Sequence, residues 1–593
     1  MKTAMPESAP TTIASYAVDL ATALGPDTVF SLTGGMAMHL NRAAARHPGL
    51  KSVYCQHEQA CVAAAEGYAK AADFRKPGFA IVTAGPGVSN TVTSLISAYG
   101  DSTPLIVLAG QIKISDIDPF GTRTHGIQEI RSREIISPCV KRFARLDAKT
   151  FRAELATTLA EAFSGRPGPV FIEIPLDVQG IPITYTAQDI ASAATAIKNQ
   201  AASSTSTPGE HADLAASFNA LLAAERPLLY VGNGCRIAGV EAEISDFLAS
   251  HKMPAVFSWL SLDIIPGNNN LHFGCPGGLA PISANEILSR ADTIVFLGAR
   301  LDLGTTAFQR EAFGPQAVRY FIDVDAAELA KFNDFPNTRR VQADLRLLPA
   351  VIAAGNGTSA ADPDWLPWCE ERRRLYLSEE RQRLASKKLN VYAIAQHLSA
   401  WADGKVFVPA SSGYAEETFS RFFVPGPGTR FFNGAALGAM GLGLPQAIGA
   451  AFGSSRQVVG LEADGGIMLN LQELATLSHY APPGFVLFIL NNGGYESIRA
   501  SQTRFFGQTS GADEDSGVFI PDFADVARTF RLRYVRVESL QSLSMLLPTL
   551  QHDQPPVIID LIIDKAEPRG PAVKTVIDAN GRPSTTPLAE ISW

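Results

Sequence analysis

The sequence predicts an α/β protein built from three doubly wound parallel-sheet domains, and three features carry that prediction. Short, near-continuously apolar runs alternate with Ala- and Leu-rich helical stretches along almost the whole chain. Such runs belong in parallel strands covered by helices on both faces, whereas a sheet with one wet face would alternate apolar and polar residues. The alternation comes in three blocks, separated by two shifts in composition.

In the first block Phe79 to Thr83, Leu105 to Ala109 and Val170 to Ile174 read as strands. In the second the same pattern returns at Leu228 to Val231, Thr293 to Leu297 and Tyr320 to Val324, and in the third at Val458 to Gly460, Val486 to Leu490 and Val557 to Leu561. Residues 184–213, rich in Ala, Ser, Thr and Gln with little strand signal, read as a linker. A second shift covers 355–388, where Gly and Ser precede the charged run Glu370-Glu-Arg-Arg-Arg, expected to be a solvated helix face rather than a binding patch. The expected limits are 1–185 for the first domain, 186–212 for a linker, 213–355 for the central domain, 356–390 for a second linker and 391–593 for the third domain.

The 593 residues are 46% hydrophobic and 18% charged, enough to bury substantial cores. Lys plus Arg number 50 against 58 Asp plus Glu, a net charge of −8 without blocks, which gives no electrostatic reason to bind nucleic acid or an anionic membrane. Apolar stretches such as Phe485 to Leu490 fall far short of the roughly 20 residues a membrane helix needs. Met1 to Thr12 is polar with two prolines, so no secretory signal is expected. Six cysteines without a CxxC pair suit reduced thiols in a cytoplasmic protein.

The most informative stretch is Ala463-Asp464-Gly465-Gly466 followed by Leu490-Asn491-Asn492-Gly493-Gly494-Tyr495. An Asp and an Asn closing two consecutive strands, each followed by glycines, bring a carboxylate, an amide oxygen and a free carbonyl to one sheet edge. Asp464, Asn492 and the Gly494 carbonyl would make half of an octahedral oxygen shell for Mg²⁺, completed by diphosphate oxygens and water. Read singly, the same dipeptides are plain turns. Upstream, the glycine-dense Gly434 to Pro445 is open to a helix-packing reading as well as a ligand-binding one. In the first block Glu58 opens an alanine-rich helix, either as a first-turn carboxylate favouring the helix dipole or as a buried acid sharing its proton with a ligand nitrogen. Thr83-Ala-Gly85-Pro86-Gly87-Val-Ser-Asn90 is a strand-to-helix turn suited to a polar or anionic cofactor group.

Together these motifs, with Asp101-Ser-Thr-Pro104, Ile127-Gln128-Glu129 and Gly438 to Pro445, resemble the thiamine-diphosphate-dependent enzymes of the acetolactate synthase and pyruvate oxidase branch over nearly the whole chain. The resemblance implies a pyrimidine-binding domain, a central Rossmann-like domain and a diphosphate-binding domain, in that order. It implies Glu58 as the carboxyl on the aminopyrimidine ring, with Thr83, Pro86, Asn90 and Gln128 on the pyrimidine side and Gly35 and Met36 facing the reacting carbon. Ser412, Gly413, Gly438, Met440, Gly465, Gly466 and Tyr495 would join Asp464, Asn492 and Gly494 around thiamine diphosphate and Mg²⁺, Met440 holding the two rings folded together. In the middle block Gly232, Gly234, Ser258, Trp259, Gly274, Gly298, Ala299, Arg300, Asp302, Asp323, Val324 and Asp344 fall in the order of FAD contacts, although such a domain also keeps glycines for packing without flavin.

The chain departs from the family at Ala463 for a usual Gly, at Tyr414-Ala415 for a Gln-His pair, at Leu303-Gly304 for an Asp-Arg pair, at Ile127 for a Phe and at Ser501 for a Trp. Those replacements imply a roomier or different acceptor pocket. Thr122 to Glu129, Asn492 to Arg499 and Phe505-Phe-Gly507 look more like the acetolactate-synthase-like carboligases of deoxysugar pathways such as that of yersiniose, where a ketone of a nucleotide-linked sugar accepts the two-carbon unit. His125 and Arg499 are open to substrate, surface or structural roles. The expectation is a ThDP-, Mg²⁺- and FAD-containing carboligase. It decarboxylates pyruvate and adds the two-carbon unit to a ketone, aldehyde or 2-keto acid, as a homodimer or homotetramer with active sites at the subunit interface. An acetolactate synthase, a simple 2-keto acid decarboxylase, an FAD-linked pyruvate oxidase and a non-catalytic cofactor-binding protein are the alternatives.

Overall fold

In the computed structural model, which describes residues 11–202, 208–355, 357–383, 389–413, 418–565, 570–577 and 583–592, every run named above is a strand. The first sheet holds β1 (Thr28–Ser31), β2 (Lys51–Tyr54), β3 (Gly78–Val82), β4 (Leu105–Gln111), β5 (Arg142–Arg145) and β6 (Pro169–Pro175), all parallel, in the order β2-β1-β3-β4-β6-β5. The middle sheet holds β7 (Pro227–Val231), β8 (Ala255–Phe257), β9 (Thr293–Leu297), β10 (Val318–Asp323) and β11 (Thr338–Gln342), again parallel, in the order β11-β10-β9-β7-β8. The third comprises β12 (Val406–Pro409), β13 (Arg430–Phe431), β14 (Val458–Ala463), β15 (Val486–Asn491), β16 (Arg533–Val537) and β17 (Val557–Ile562), ordered β13-β12-β14-β15-β17-β16. The first and third sheets therefore share one topology, reversing direction between β1 and β3 and between β12 and β14. Loops at such a switch point diverge and leave a crevice at the carboxyl ends of the strands.

The strands legible in sequence are largely central ones, such as β3, β4 and β6, buried at every position. The edge strands β2, β5, β11 and β16 carry Lys or Arg and expose part of their length, so the continuous-apolar pattern misses them. A short antiparallel pair, Thr575–Ile577 with Pro583–Thr585, was likewise not anticipated.

The chain forms two compact units, one of residues 1–204, 434–455 and 467–482, the other of 205–433, 456–466 and 483–593. Within the first unit the alanine-rich Glu58–Ala71 helix lies backbone to backbone on the Gly443–Gly453 helix. A Cβ on Gly67 would run into the Gln446 carbonyl, one on Gly449 into that of Ala64 and one on Gly453 into that of Tyr68. These three glycines serve helix packing, and they lie outside the glycine-dense Gly434 to Pro445, of which only the last residues enter the helix. Gly449→Ala should lower the unfolding free energy by about 3 kcal/mol in denaturant melts, since the obstructing atom is backbone and cannot move aside.

Beneath this contact Lys70 is buried between Glu66 at 2.6 Å and Asp101 at 2.7 Å. Burial opposes the ammonium, but Asp101 and Glu66 outweigh it and hold the Lys70 pKa above the ordinary lysine range. Gln446 Nε2 donates to Glu66 at 3.0 Å and the Ala436 N–H to Asp101 at 3.0 Å, which ties the Asp101 motif to the Gly434 segment.

Two segments expected as linkers are more ordered than composition implied. The stretch 186–212 contains the Ala187–Ala202 helix, whose Ile190, Ala194 and Ile197 join the first core. Alanine and glutamine are good helix formers, and these apolar residues recur at helical spacing. The stretch 356–390 contains the Trp365–Arg383 helix, anchored by buried Trp365 and Cys369 with Trp365 Nε1 donating to the Pro227 carbonyl at 2.9 Å. Its charged run is not wholly solvated, because Arg373 reaches inward to the carbonyls of Asn269 at 3.1 Å and His272 at 2.8 Å. No helix among the described residues is long and apolar enough to cross a membrane.

Candidate cofactor site

In the first unit Glu58 is the first residue of its helix, after His57, whose Nδ1 accepts the Gln59 N–H at 3.1 Å. Only 7% of Glu58 is exposed, and its Oε2 accepts a hydrogen bond from Asn90 Nδ2 at 3.0 Å. Asn90 is delivered by the turn after β3. There Gly85 takes φ +64°, and a side chain on it would also strike Gln128, its Cβ falling 2.7 Å from that residue's Cα. A Cβ on Gly87 would stand 3.6 Å from Glu58 Oε1, and one on Gly34 2.5 Å from Thr83 Cβ. Thr83 Oγ1 is buried without a hydrogen-bond partner. Glu58, Thr83, Asn90 and Gln128 therefore gather at one edge of the first sheet. The Met36 carbonyl accepts from Gln179 Nε2 at 2.7 Å and lies against Gly110 of β4, while Gly35, Pro86 and Gln128 are exposed.

Met440 is half-buried in a loop where Gly438 and Gly441 take positive φ, +65° and +77°. Asn470 Nδ2 donates to the Gly441 carbonyl at 2.8 Å and to Gln59 Oε1 at 3.3 Å. Glu473, fully buried, accepts the Gln56 N–H at 3.0 Å and the Thr476 hydroxyl at 2.7 Å, and its burial raises its pKa to about 7. Sequence reasoning missed both residues. Nothing in Asn470-Leu-Gln-Glu473 distinguishes them from an ordinary helix start.

In the second unit Asp464, with no exposed surface, follows β14 and opens a short helical turn. Its Oδ1 accepts the Gly465 N–H at 2.7 Å, and its Oδ2 accepts those of Asn492 at 3.1 Å, Gly493 at 2.6 Å and Gly494 at 3.0 Å. Burial lifts the carboxyl pKa to about 6 although these four donors pull it down. Gly493 and Gly494 take φ +73° and +137°, and a Cβ on Gly494 would hit the Ala512 carbonyl, so the loop demands glycine. Asn492 Oδ1 is buried with no hydrogen-bond partner, an acceptor awaiting a cation or donor. An unsatisfied amide oxygen beside a fixed carboxylate and a glycine-rich loop is a hard-oxygen donor set that fits Mg²⁺. Among the described residues there is no cluster of three or more His, Cys, Asp or Glu that would suit a softer metal.

The Tyr495 ring packs on Gly465, and Gly466 lies in the same helical turn. Arg499 donates to the Asn492 carbonyl at 3.3 Å and pairs with Glu496 and with Asp513, 3.7 Å away, a structural role bracing this loop. Ser412 and Gly413, the latter at φ +74°, follow β12 half-buried. Tyr414 and Ala415 lie outside the described residues.

At the carboxyl edge of the middle sheet, Gly234 N–H bonds the Gly298 carbonyl at 3.0 Å, and Cβ atoms on Gly232 or Gly234 would enter the Gly298 backbone. The packing reading accounts for these three glycines. Arg300 pairs with Asp302 at 3.1 Å, Asp302 also accepts the Thr305 N–H at 2.7 Å, and Asp344 caps Arg346 and pairs with its guanidinium. Asp323 accepts the Asp325 N–H at 2.9 Å, the Val324 carbonyl accepts from Gln342, Ser258 bonds Ser261 at 2.9 Å, Trp259 starts a short 3₁₀ turn, and Gly274, φ +81°, donates to His272. At the same edge Asn233 Oδ1 is buried and without a partner, an acceptor that would suit a bound polar group.

Of the positions where the chain departs from the family pattern, Ile127 is 91% exposed, Leu303 and Ser501 are also exposed, and His125 is exposed beside Phe120.

Residues 11–135 match the N-terminal TPP binding domain of thiamine pyrophosphate enzymes, 214–350 their central domain and 411–561 their C-terminal TPP binding domain. Acetolactate synthase large subunit from Parasynechococcus marenigrum is 30% identical over 599 residues, covering 98% of this chain and 93% of that protein. The chain belongs to the thiamine pyrophosphate enzymes. Acetolactate synthase isozyme 2 large subunit of Escherichia coli is 29% identical over 94% of this chain and 97% of its own length. The large subunit from Lactococcus lactis is 26% identical over 92% of this chain and 91% of its own length. As a thiamine pyrophosphate enzyme, the protein carries the three parallel-sheet α/β domains of that family in the expected order.

Proposed function

We propose that this thiamine pyrophosphate enzyme decarboxylates pyruvate and transfers the remaining two-carbon unit to an acceptor carbonyl, forming a carbon–carbon bond with release of CO₂. The observation that carries the reading is Glu58, buried and hydrogen-bonded to Asn90 at the carboxyl edge of the first sheet, in a chain similar to acetolactate synthases over nearly its whole length. Thiamine diphosphate, when bound, supplies a carbon nucleophile and a sink for the electron pair that decarboxylation releases. Glu58 holds and returns a proton at the aminopyrimidine, and Asn90 fixes which carboxyl oxygen faces it. Asp464, Asn492 and Gly494 would hold Mg²⁺ beside the diphosphate, Met440 would lie against the cofactor, and Ser412, Gly413, Gly465, Gly466 and Tyr495 would line its diphosphate end. Thr83 Oγ1, buried and unpaired, offers a hydrogen bond on the pyrimidine side.

Further parts of the proposal are FAD on the middle domain, supported by the unpaired Asn233 Oδ1, and a homodimer or homotetramer with active sites at the subunit interface. The domain limits 1–185, 213–355 and 391–593 and a cytoplasmic location complete it. The acceptor is proposed to be a ketone of deoxysugar type, because Thr122 to Glu129, Asn492 to Arg499 and Phe505-Phe-Gly507 resemble the deoxysugar carboligases, while Ile127, Leu303-Gly304 and Ser501 imply a pocket unlike that of the biosynthetic synthases.

Pyruvate offered with a panel of ketones, aldehydes and 2-keto acids, with products identified by mass, is expected to yield CO₂ and a tertiary-alcohol or acetolactate-type adduct. Acetaldehyde alone would replace this reading with a simple decarboxylase, and acetate with peroxide would replace it with an oxidase. A visible absorption spectrum of the purified protein is expected to show flavin; a colourless, fully active enzyme would remove FAD from the scheme.

A further inference from the structure

Gln56, two residues before Glu58, is held from behind by a buried acid. Glu473 Oε1 accepts the Gln56 N–H at 3.0 Å, and the Thr476 hydroxyl donates to Oε2 at 2.7 Å. The His57 side chain caps the helix by accepting the Gln59 N–H, while the Gln56 N–H just before the cap is taken by Glu473. Three residues before Glu473, Asn470 bonds both Gln59 Oε1 and the carbonyl of Gly441, the neighbour of Met440. One short segment therefore grips the approach to Glu58 and the loop of Met440 together.

We infer that Glu473, with Asn470 and Thr476 as its supports, is a positioning residue that fixes the backbone at Gln56, two residues before Glu58, and so aims the Glu58 carboxyl at the cofactor ring. The inference rests on the cofactor reading above. The choice of side chain argues for it. A fully buried glutamate is costly, whereas an apolar residue would fill the same space cheaply. A carboxylate accepts a backbone N–H on one oxygen and a hydroxyl on the other, as Glu473 does with Gln56 and Thr476. With no exposed surface it offers nothing directly to a ligand, so its effect would run through Glu58.

Two variants separate positioning from packing, Glu473→Leu, which keeps bulk and removes every acceptor, and Glu473→Gln, which keeps one. In cofactor-free protein, amide hydrogen exchange of peptides spanning residues 54–60 is expected to quicken about tenfold in Glu473→Leu, as for loss of one charge-assisted hydrogen bond, and to stay near wild type in Glu473→Gln. With thiamine diphosphate and Mg²⁺ bound, exchange of the cofactor C2 hydrogen for deuterium, read by acid quench and proton NMR, should slow about tenfold or more in Glu473→Leu and recover in Glu473→Gln, a range typical of one misplaced acid–base group. The dissociation constant for thiamine diphosphate should move less than about threefold, the change that roughly 0.6 kcal/mol would cause. A folded Glu473→Leu protein with wild-type rates in both measurements overturns the inference. If that variant fails to fold, Thr476→Val carries the test, with a smaller slowing expected and no change counting against it. Wild-type protein that takes up no thiamine diphosphate would overturn the cofactor reading instead, and amide exchange would still judge whether Glu473 holds the backbone.

Discussion

Glu58→Gln is expected to reduce turnover of pyruvate by about 10²- to 10⁴-fold, the span over which a positioned acid–base group contributes. Glutamine has nearly the same volume, and its amide oxygen can still accept from Asn90 Nδ2, the 3.0 Å hydrogen bond that Glu58 makes. Packing and the first turn of the helix should therefore survive, and thermal unfolding should shift little. What the amide lacks is a proton that can be taken up and returned, which isolates the acid–base role from the structural one. Thiamine diphosphate should still bind, because Asp464 and Asn492 are untouched. Near-normal turnover by a well-folded variant would refute the role assigned to Glu58, and steady-state kinetics beside calorimetry of cofactor uptake would show it.

Asn492→Ala and Asp464→Ala should part company just as clearly. Asn492 Oδ1 has no hydrogen-bond partner in the fold, so removing it should leave the stability of cofactor-free protein unchanged within about 0.5 kcal/mol. Its Mg²⁺-dependent uptake of thiamine diphosphate should weaken by about 100-fold, the upper end of what loss even of an outer partner costs a metal site. Asp464→Ala instead strips the acceptor from the N–H groups of Gly465, Asn492, Gly493 and Gly494. Each buried donor left unpaired costs about 1–3 kcal/mol, so this variant should lose stability as well as cofactor. Calorimetry with and without magnesium, beside denaturant melts of the cofactor-free proteins, measures both quantities. Equal cofactor affinity in wild type and Asn492→Ala would remove that side chain from the metal shell.

Much of the site was legible because its chemistry is local. Asp464 and Asn492 announce themselves by closing strands ahead of glycines, and Gly85, Gly493 and Gly494 by backbone conformations that other residues adopt at a cost. Glu473 and Asn470 were not legible, since their partners Gln56 and Gly441 lie far away in sequence and neither side chain stands out among its neighbours. The helix within the stretch 186–212, expected as a linker, was missed for a related reason. Alanine and glutamine say little about order until Ile190 and Ile197 find a core to enter.

The sequence by itself determined three parallel sheets, their buried central strands and the residue types of a cofactor site, because apolar runs and glycine turns are properties of neighbouring residues. Only the tertiary structure decided which edge strands complete each sheet, which glycines serve helix contact rather than ligand, and which buried acid stands behind Glu58. Those outcomes depend on groups brought together across long stretches of chain, where burial and hydrogen-bond supply are set by packing and have no signature in local pattern.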